Sequence, residues 1–441
     1  MLKTEAAAIA CFLALAAFTL AFRAYAMDEY TYMNAAEAFY KGNPRMILEG
    51  ETSRSPFFPL ALSWAYPLAG DVELGGRLLN IVFAGLGIIV VYFFARELLG
   101  REAAGWAALL LASNPLYAFL FSRILSESLF IFLLALCMYL THRAARDPRF
   151  MAPLGLATGS LIMTRYFGFY MIPIILAYFW KTGRLGSLLS KWALAGAAAF
   201  ALSFLPLAFL SGFFGKSLPS FFTDFFLVAI FVRQGSLGWP DRMPSYLLSL
   251  PFLLGFALPA LALSAKQAVM HWREEKFFAL LLPVAFIAIA MEAYGLFNAP
   301  LLRYIAVVVP FLCILAASAI LPGRRIGGMS VRTIAWAAVG LNLAASMAGI
   351  YAVDALYYKH ADYRDAGLYA ASECAGGVFS NIPAVMNHYL HRPTAYKAGE
   401  YGTGQACVVV SGYDAWDYSE PESRGYLLSS SAGNIKIYKL G

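Results

Sequence analysis

The chain has 441 residues, of which 61% are hydrophobic, 16% are aromatic and only 13% are charged, with a formal net charge of +7. Apolar residues fall in repeated blocks long enough to cross ~30 Å of hydrocarbon, which excludes an ordinary soluble enzyme and predicts a polytopic membrane protein. The excess Lys and Arg is scattered through short loops instead of gathered in a patch, which argues against nucleic acid and for a topology signal.

The first apolar block, 6 to 25, follows Lys3 and ends in Ala24-Tyr25-Ala26. That arrangement mimics a signal peptide, but the run from Ala6 to Phe22 is longer than a usual signal core and predicts a retained span. Immediately behind it stands an acidic pair, Asp28-Glu29, in the string AYAMDEYTYMNAAEAFYKGNP, followed by SRSPFFPL. Carboxylates so close to hydrocarbon are costly and mark a functional site, so residues 27 to 75 are expected to form an exterior loop carrying a catalytic base.

Further spans are expected at 76 to 95, 103 to 121, 125 to 141, 151 to 163, 166 to 180, 192 to 211, 246 to 264, 277 to 296, 302 to 321 and 333 to 351, eleven in all. The blocks at 151 to 163 and 166 to 180 are short for full crossings and also fit a hairpin dipping around Arg165. With a cytoplasmic N-terminus, the Lys- and Arg-rich short loops, among them 142 to 150 and 265 to 276, all fall inside. The glycines of GLGIIV near residue 85 lie within a span and suit helix packing better than phosphate binding.

Three arginines depart from that rule. Arg123, Arg165 and Arg303 each occupy an external turn of a few residues, where positive charge is scarce. Each alone fits snorkelling to lipid headgroups, but three guanidinium groups at one exterior level suit a phosphate. Glu127, four residues after Arg123, is either the partner in a local ion pair at a helix start or a second acid facing the Asp28 loop.

After Tyr351 polarity rises: from Asp354 to Gly441 there are nine acids and seven Lys or Arg. A helix-like DYRDAGLYAASECA, then GGVFSNIP, AVMNHYLHRP, QACVVVSGY and NIKIYKL, predict a small exterior α/β domain over 352 to 441, beside a membrane domain over 1 to 351. Cys11, Cys137 and Cys313 lie in spans as packing residues, whereas Cys374 and Cys407 share the exterior domain, where an oxidising compartment would let them pair. His388 and His391 have one-face helical spacing, but two histidines without a third ligand do not define a zinc site.

The order of these features resembles a known family. An Asp-Glu in the first exterior loop, SRSPFFPL, AGDVELGGRLLNIVFAGLGIIVVYFFARELLG, an Arg-x-x-x-Glu after the third span, LIMTRYFGFYMIP and LLRYIAVVVPFLCILAA are together similar to the GT-C glycosyltransferases that use lipid-phosphate sugars, especially protein O-mannosyltransferases and lipid A aminoarabinose transferases. The resemblance covers residues 1 to about 350, and the exterior tail is similar to tails of prokaryotic members, which implies a prokaryotic plasma membrane. It further implies a polyprenyl-phosphate sugar donor, inverting transfer at the exterior face to a protein, lipid or glycan hydroxyl, and a first-loop Asp as base. Trp416-Asp417-Tyr418 is similar to an acceptor-binding motif of oligosaccharyltransferases, yet a Ser follows it and the chain ends 23 residues later.

The chemistry asks for the same parts. Transfer to a hydroxyl needs a carboxylate to take the acceptor proton and donors to stabilise the departing phosphate. Asp28 fits the first role, with Glu29 and Glu127 as the accompanying acids and Arg54 orienting the Asp28 carboxylate. Arg165, Arg303, Tyr304 and Arg123 fit the second. The residues name no metal site, and dependence on a divalent metal stays open. A lipid-linked substrate transporter or flippase would instead show broken helices meeting at mid-membrane with acids inside the spans. A non-catalytic scaffold would need none of these charges, and an oligosaccharyltransferase-like enzyme remains the nearest enzymatic alternative.

Overall fold

The computed structural model describes residues 3–22, 27–42, 55–213, 268–293, 306–320, 325–326, 328–352, 360–374, 377–380, 382–390, 405–411, 426–432 and 435–440, with a few isolated positions between them. Its larger part is helical. Among the described residues five helices are long and apolar enough to cross a membrane: α1 (Lys3–Ala21), α4 (Val72–Leu99), α7 (Glu127–Arg146), the continuous pair α10 (Lys191–Leu202) with α11 (Leu205–Phe213), and α14 (Val331–Ala352). A sixth candidate is the bent pair α5 (Arg101–Ala112) and α6 (Pro115–Phe121). The expected block at 246 to 264 lies almost wholly outside the described residues, and that at 302 to 321 is described from Ala306, as α13 (Val309–Ala319) behind a short 3-10 turn. The block at 277 to 296 is seen as α12 (Glu275–Ala293).

Three expectations change in detail. The single span expected over 103 to 121 is broken: α5 and α6 meet at 61°, because Asn114 caps α6, accepting from the Tyr117 amide at 2.9 Å, with Pro115 behind it at the first helical position. The break is buried in protein, with Ser113 and Asn114 both enclosed, and the Ser346 hydroxyl of α14, which donates to the Asn342 carbonyl at 2.7 Å, also reaches the Ser113 carbonyl at 3.2 Å. Blocks 151 to 163 and 166 to 180 form two short helices, α8 (Met151–Thr164) and α9 (Met171–Lys181), joined by a 3-10 turn over Tyr166–Tyr170. Finally, the segment expected as an exterior loop is largely helical, with α2 (Met27–Lys41) packed on α3 (Phe57–Ala69) and α3 on α4.

Small residues bring the spans together. Helices α8 and α10 cross at Gly155 and Gly196, so closely that a methyl at Gly155 would strike the Gly196 carbonyl. Gly87 of α4 faces the Tyr117 hydroxyl, which donates to the Ala84 carbonyl at 2.8 Å.

Beyond α14 the chain forms α15 (His360–Glu373), β3 (Gly377–Ser380), α16 (Pro383–Leu390), β4 (Gln405–Ser411), β5 (Tyr426–Ala432) and β6 (Ile435–Leu440), after a two-stranded hairpin of β1 (Arg325–Ile326) and β2 (Met329–Ser330) that precedes α14. The four strands order as β3-β4-β6-β5, with β3 parallel to β4 and the other pairs antiparallel. Cys374 and Cys407 are disulfide-bonded across 5.9 Å between Cα atoms, joining the end of α15 to β4.

Candidate active site

Antiparallel spans bring particular ends to one face of the bundle. The C-terminal ends of α1, α6, α8 and α14 and the N-terminal ends of α4 and α7 gather there, as the Phe22–Tyr351 ring contact and the hydrogen bonds below show. Helix α2 lies against that face and is enclosed along most of its length: positions 29 to 38 are all buried. A helix with Glu29, Thr31, Asn34 and Glu37 among those buried positions cannot be held by apolar packing alone, because each polar group needs a partner.

For Glu29 an ion pair meets that need, and a second pair between neighbouring helices stands beside it. The Arg123 guanidinium, in the turn between α6 and α7, grips Glu29 with both prongs, Nε to Oε1 and Nη2 to Oε2, each at 2.9 Å, with both side chains buried. Beside it, Arg165 at the C-terminal end of α8 places Nη1 2.6 Å from Oε1 of Glu127, the first residue of α7. Both acids sit in the first turn of a helix and Arg165 sits just past the end of one, so helix dipoles favour all three charges. Glu127 and Arg123 thus do not pair with one another: each reaches to a different helix.

Around these pairs the positioning is dense. Asn80 of α4 donates to the Arg123 carbonyl, and the Arg123 guanidinium lies 5.2 Å from the Phe119 ring centroid. The Tyr32 hydroxyl of α2 lies 3.1 Å from Oγ of Ser126, and its ring meets Phe58 edge-on at 5.2 Å, which gives the SRSPFFPL motif a structural task. Arg77, buried in the first turns of α4, donates through Nη1 to the carbonyls of Thr19 at 3.0 Å, Phe22 at 3.2 Å and Ser122 at 3.4 Å. It thereby joins the end of α1 to the end of α6. From the other side, Tyr30 stacks obliquely between His388 and Tyr389 of α16, at 5.4 and 6.1 Å. Burial pushes the Tyr389 phenol up to about 12, so it stays neutral at ordinary pH.

Of the residues singled out in the sequence, the structure brings together Glu29, Arg123, Glu127 and Arg165, and places Asp28 in the first turn of α2 next to Glu29. Arg54, Arg303, Tyr304, His391 and the 416 to 418 triplet lie outside the described residues. Arg77, Asn80, Tyr32 and Ser126 were not anticipated. An arginine and an asparagine inside the apolar run GGRLLNIVFAG were the available signal for the first two. Among the described residues no cluster of three metal-ligating side chains occurs.

Residues 53–209 match the family model of dolichyl-phosphate-mannose-protein mannosyltransferase. The whole fold is similar to that of ArnT from Cupriavidus metallidurans. In its complex with undecaprenyl phosphate the identity is 15% and the TM-score 0.67, over 99% of this chain and 97% of that one. In its apo state the values are 14% and 0.67, over 98% of each chain. The Archaeoglobus fulgidus oligosaccharyltransferase, in complex with zinc and sulfate, is similar at 16% identity and a TM-score of 0.61, over 91% of this chain and 68% of that one. No curated protein sequence matches the chain. The resemblance to polytopic glycosyltransferases therefore holds at the level of the fold, along the full length of the chain.

Proposed function

We propose that this protein, built on the fold of membrane glycosyltransferases, moves a monosaccharide from a polyprenyl-phosphate donor to a hydroxyl of a protein, lipid or glycan acceptor, with inversion, at the membrane face where α2 lies. The observation that carries the reading is the pair of charge clasps, Glu29–Arg123 and Glu127–Arg165, which hold α2, the α6–α7 turn and the end of α8 in one fixed arrangement. ArnT, over nearly its whole length similar to this chain, binds undecaprenyl phosphate, which supports a lipid-phosphate donor.

In this reading Asp28 accepts the proton of the acceptor hydroxyl as its oxygen bonds to the anomeric carbon. The bond from that carbon to the phosphate oxygen breaks, and the polyprenyl phosphate leaves with its charge held by arginine. Attack opposite the leaving group inverts the configuration. Positioning and charge stabilisation supply most of the rate gain in such a transfer. Arg165 is the best-placed described phosphate donor, since a guanidinium has five N–H groups and its bond to Glu127 is compatible with a further anion contact. Arg303 and Tyr304 join it on the strength of the sequence. Arg123 is reassigned from phosphate ligand to positioning residue, because its fork is engaged by Glu29. Glu29 moves with it, both of its oxygens being held.

An exterior active face, a cytoplasmic N-terminus and an exterior C-terminal α/β domain complete the proposal, supported by the placement of Lys and Arg in the loops. Purified protein incubated with a panel of polyprenyl-phosphate sugars should transfer or slowly hydrolyse one of them, and the Asp28→Asn variant should not. Absence of both activities across the panel would turn attention to lipid-linked substrate translocation.

A further inference from the structure

The far end of the bundle carries a second charged surface that the transfer reaction does not use. Helix α7 runs 20 residues, about 30 Å, away from Glu127 to Arg146, and α9 runs the same way from the Arg165 turn to Lys181. At that end Arg143 and Arg146 are matched by carboxylates, Arg143 with Glu97 at 2.7 Å and Arg146 with Glu275 at 3.3 Å. A few residues away the pattern changes. Lys181 and Arg273 both lie over a single indole, Trp272, with Nζ at 5.3 Å and Cζ at 5.8 Å from its ring centroid. Neither cation has a carboxylate partner among the described residues. Lys191 likewise lies over Trp192 at 5.7 Å with no acid beside it among those residues.

The setting of these cations is amphipathic. Trp272 is 48% and Trp180 70% exposed, and the 3-10 turn Leu185–Leu189 between α9 and α10 ends in a Leu189 that is 92% exposed. Exposed indoles and leucines at a helix end, level with unmatched cations, mark the depth at which acyl chains give way to headgroups. Positive charge in that layer attracts anionic headgroups by about 1 kcal/mol per Lys or Arg, and two cations gathered at one indole offer a fixed point for a phosphodiester.

We infer that Lys181, Arg273 and Trp272 form a binding site for an anionic phospholipid headgroup, on the face opposite the Glu29–Arg123 site. The phosphodiester bridges the two cations, the indole lies along the glycerol region, and the acyl chains follow the apolar side of α9. The site is independent of the proposed transfer reaction, and it ties the end of α9 to the segment leading into α12.

Native mass spectrometry of the full-length protein, released from detergent after titration with phosphatidylglycerol or phosphatidylcholine, tests the assignment. The wild type should retain phosphatidylglycerol at least several-fold more than phosphatidylcholine. The double variant Lys181→Gln with Arg273→Gln should lose that preference, and the charge-keeping exchange Lys181→Arg with Arg273→Lys should keep it. Arg332→Gln, which removes a cation already paired with Glu102 on the same face, should leave it unchanged. Equal retention of the two lipids by the wild type would overturn the inference, as would an undiminished preference in the Gln double variant. Displacement of the bound lipid by millimolar inorganic phosphate would also overturn it, in favour of a soluble anion.

Discussion

Arg123 and Glu29 are 94 residues apart in sequence and are joined by two hydrogen bonds of 2.9 Å, both side chains buried. Each charge is desolvated against the other, so removing one takes from the survivor its bidentate partner inside the protein. Glu29→Gln and Arg123→Ala should each lower stability by about 3–5 kcal/mol, read as a large fall in melting temperature of the detergent-solubilised protein. The double variant Glu29→Gln with Arg123→Ala should lose less than the sum of the two single losses, and additive losses would show that the pair is not coupled.

Asp28 has a different expected signature. Asn keeps its size and removes its ability to take a proton, so turnover should fall ~10²-fold or more while polyprenyl-phosphate binding is retained. Measured kcat alongside donor affinity separates this outcome from misfolding. Near-normal turnover would take the base role away from Asp28.

At Arg165 the ranking of variants is the readout. Lys keeps the charge and loses the planar fork, and Ala loses both, so affinity for polyprenyl phosphate should fall in the order Arg, Lys, Ala, by about 1 kcal/mol or more per step. The same order is expected at Arg303. Glu127→Gln should weaken donor affinity by releasing Arg165, and unchanged affinity in both Ala variants would place the donor elsewhere.

The Cys374–Cys407 bond closes a segment with a sequence separation of 33 residues. A loop of that size corresponds to about 3–4 kcal/mol of unfolded-chain entropy. Cys374→Ser with Cys407→Ser should therefore make α15 and the sheet more sensitive to proteolysis, measured as cleavage rate against the membrane part of the same molecule. Equal cleavage with and without the bond would show that the sheet is stabilised by its packing.

Orientation is open to direct measurement. In a background lacking Cys11, Cys137 and Cys313, a cysteine at position 360 should react with an impermeant reagent added outside cells, and one at position 146 should not. The reverse pattern would invert the topology.

Periodicity and composition made some of this legible in advance and left other parts hidden. The helix DYRDAGLYAASECA and the strands within QACVVVSGY and NIKIYKL stand where their local patterns put them, at His360–Glu373, Gln405–Ser411 and Ile435–Leu440. Strand β5, YLLSSSA, escaped because its three apolar residues stand together at one end and small residues follow, with no alternation. Helix α2 escaped because its polar residues are enclosed on all sides by other helices, so no apolar stripe announces it. The gathering of Arg123, Glu127 and Arg165 at one end of the bundle could be read from charge in short turns. Their partners could not, since whether an arginine meets a phosphate or a glutamate depends on which helices become neighbours.

Arg77 bears on how the protein is made. Its cation must enter the bilayer with α4, close behind α1, and a charge near the end of an inserting helix is tolerated only when oxygen atoms reach it. The carbonyls of Thr19 and Phe22 belong to the helix already in place, while that of Ser122 arrives only after the chain has turned back through α5 and α6. Biogenesis thus has an order written into one side chain: the first two spans can settle as a pair, and the turn bearing Arg123 is drawn onto them as it emerges. A ribosome-bound chain truncated near residue 110 would already contain the first two oxygen ligands of Arg77, and one extended beyond residue 150 would contain all three.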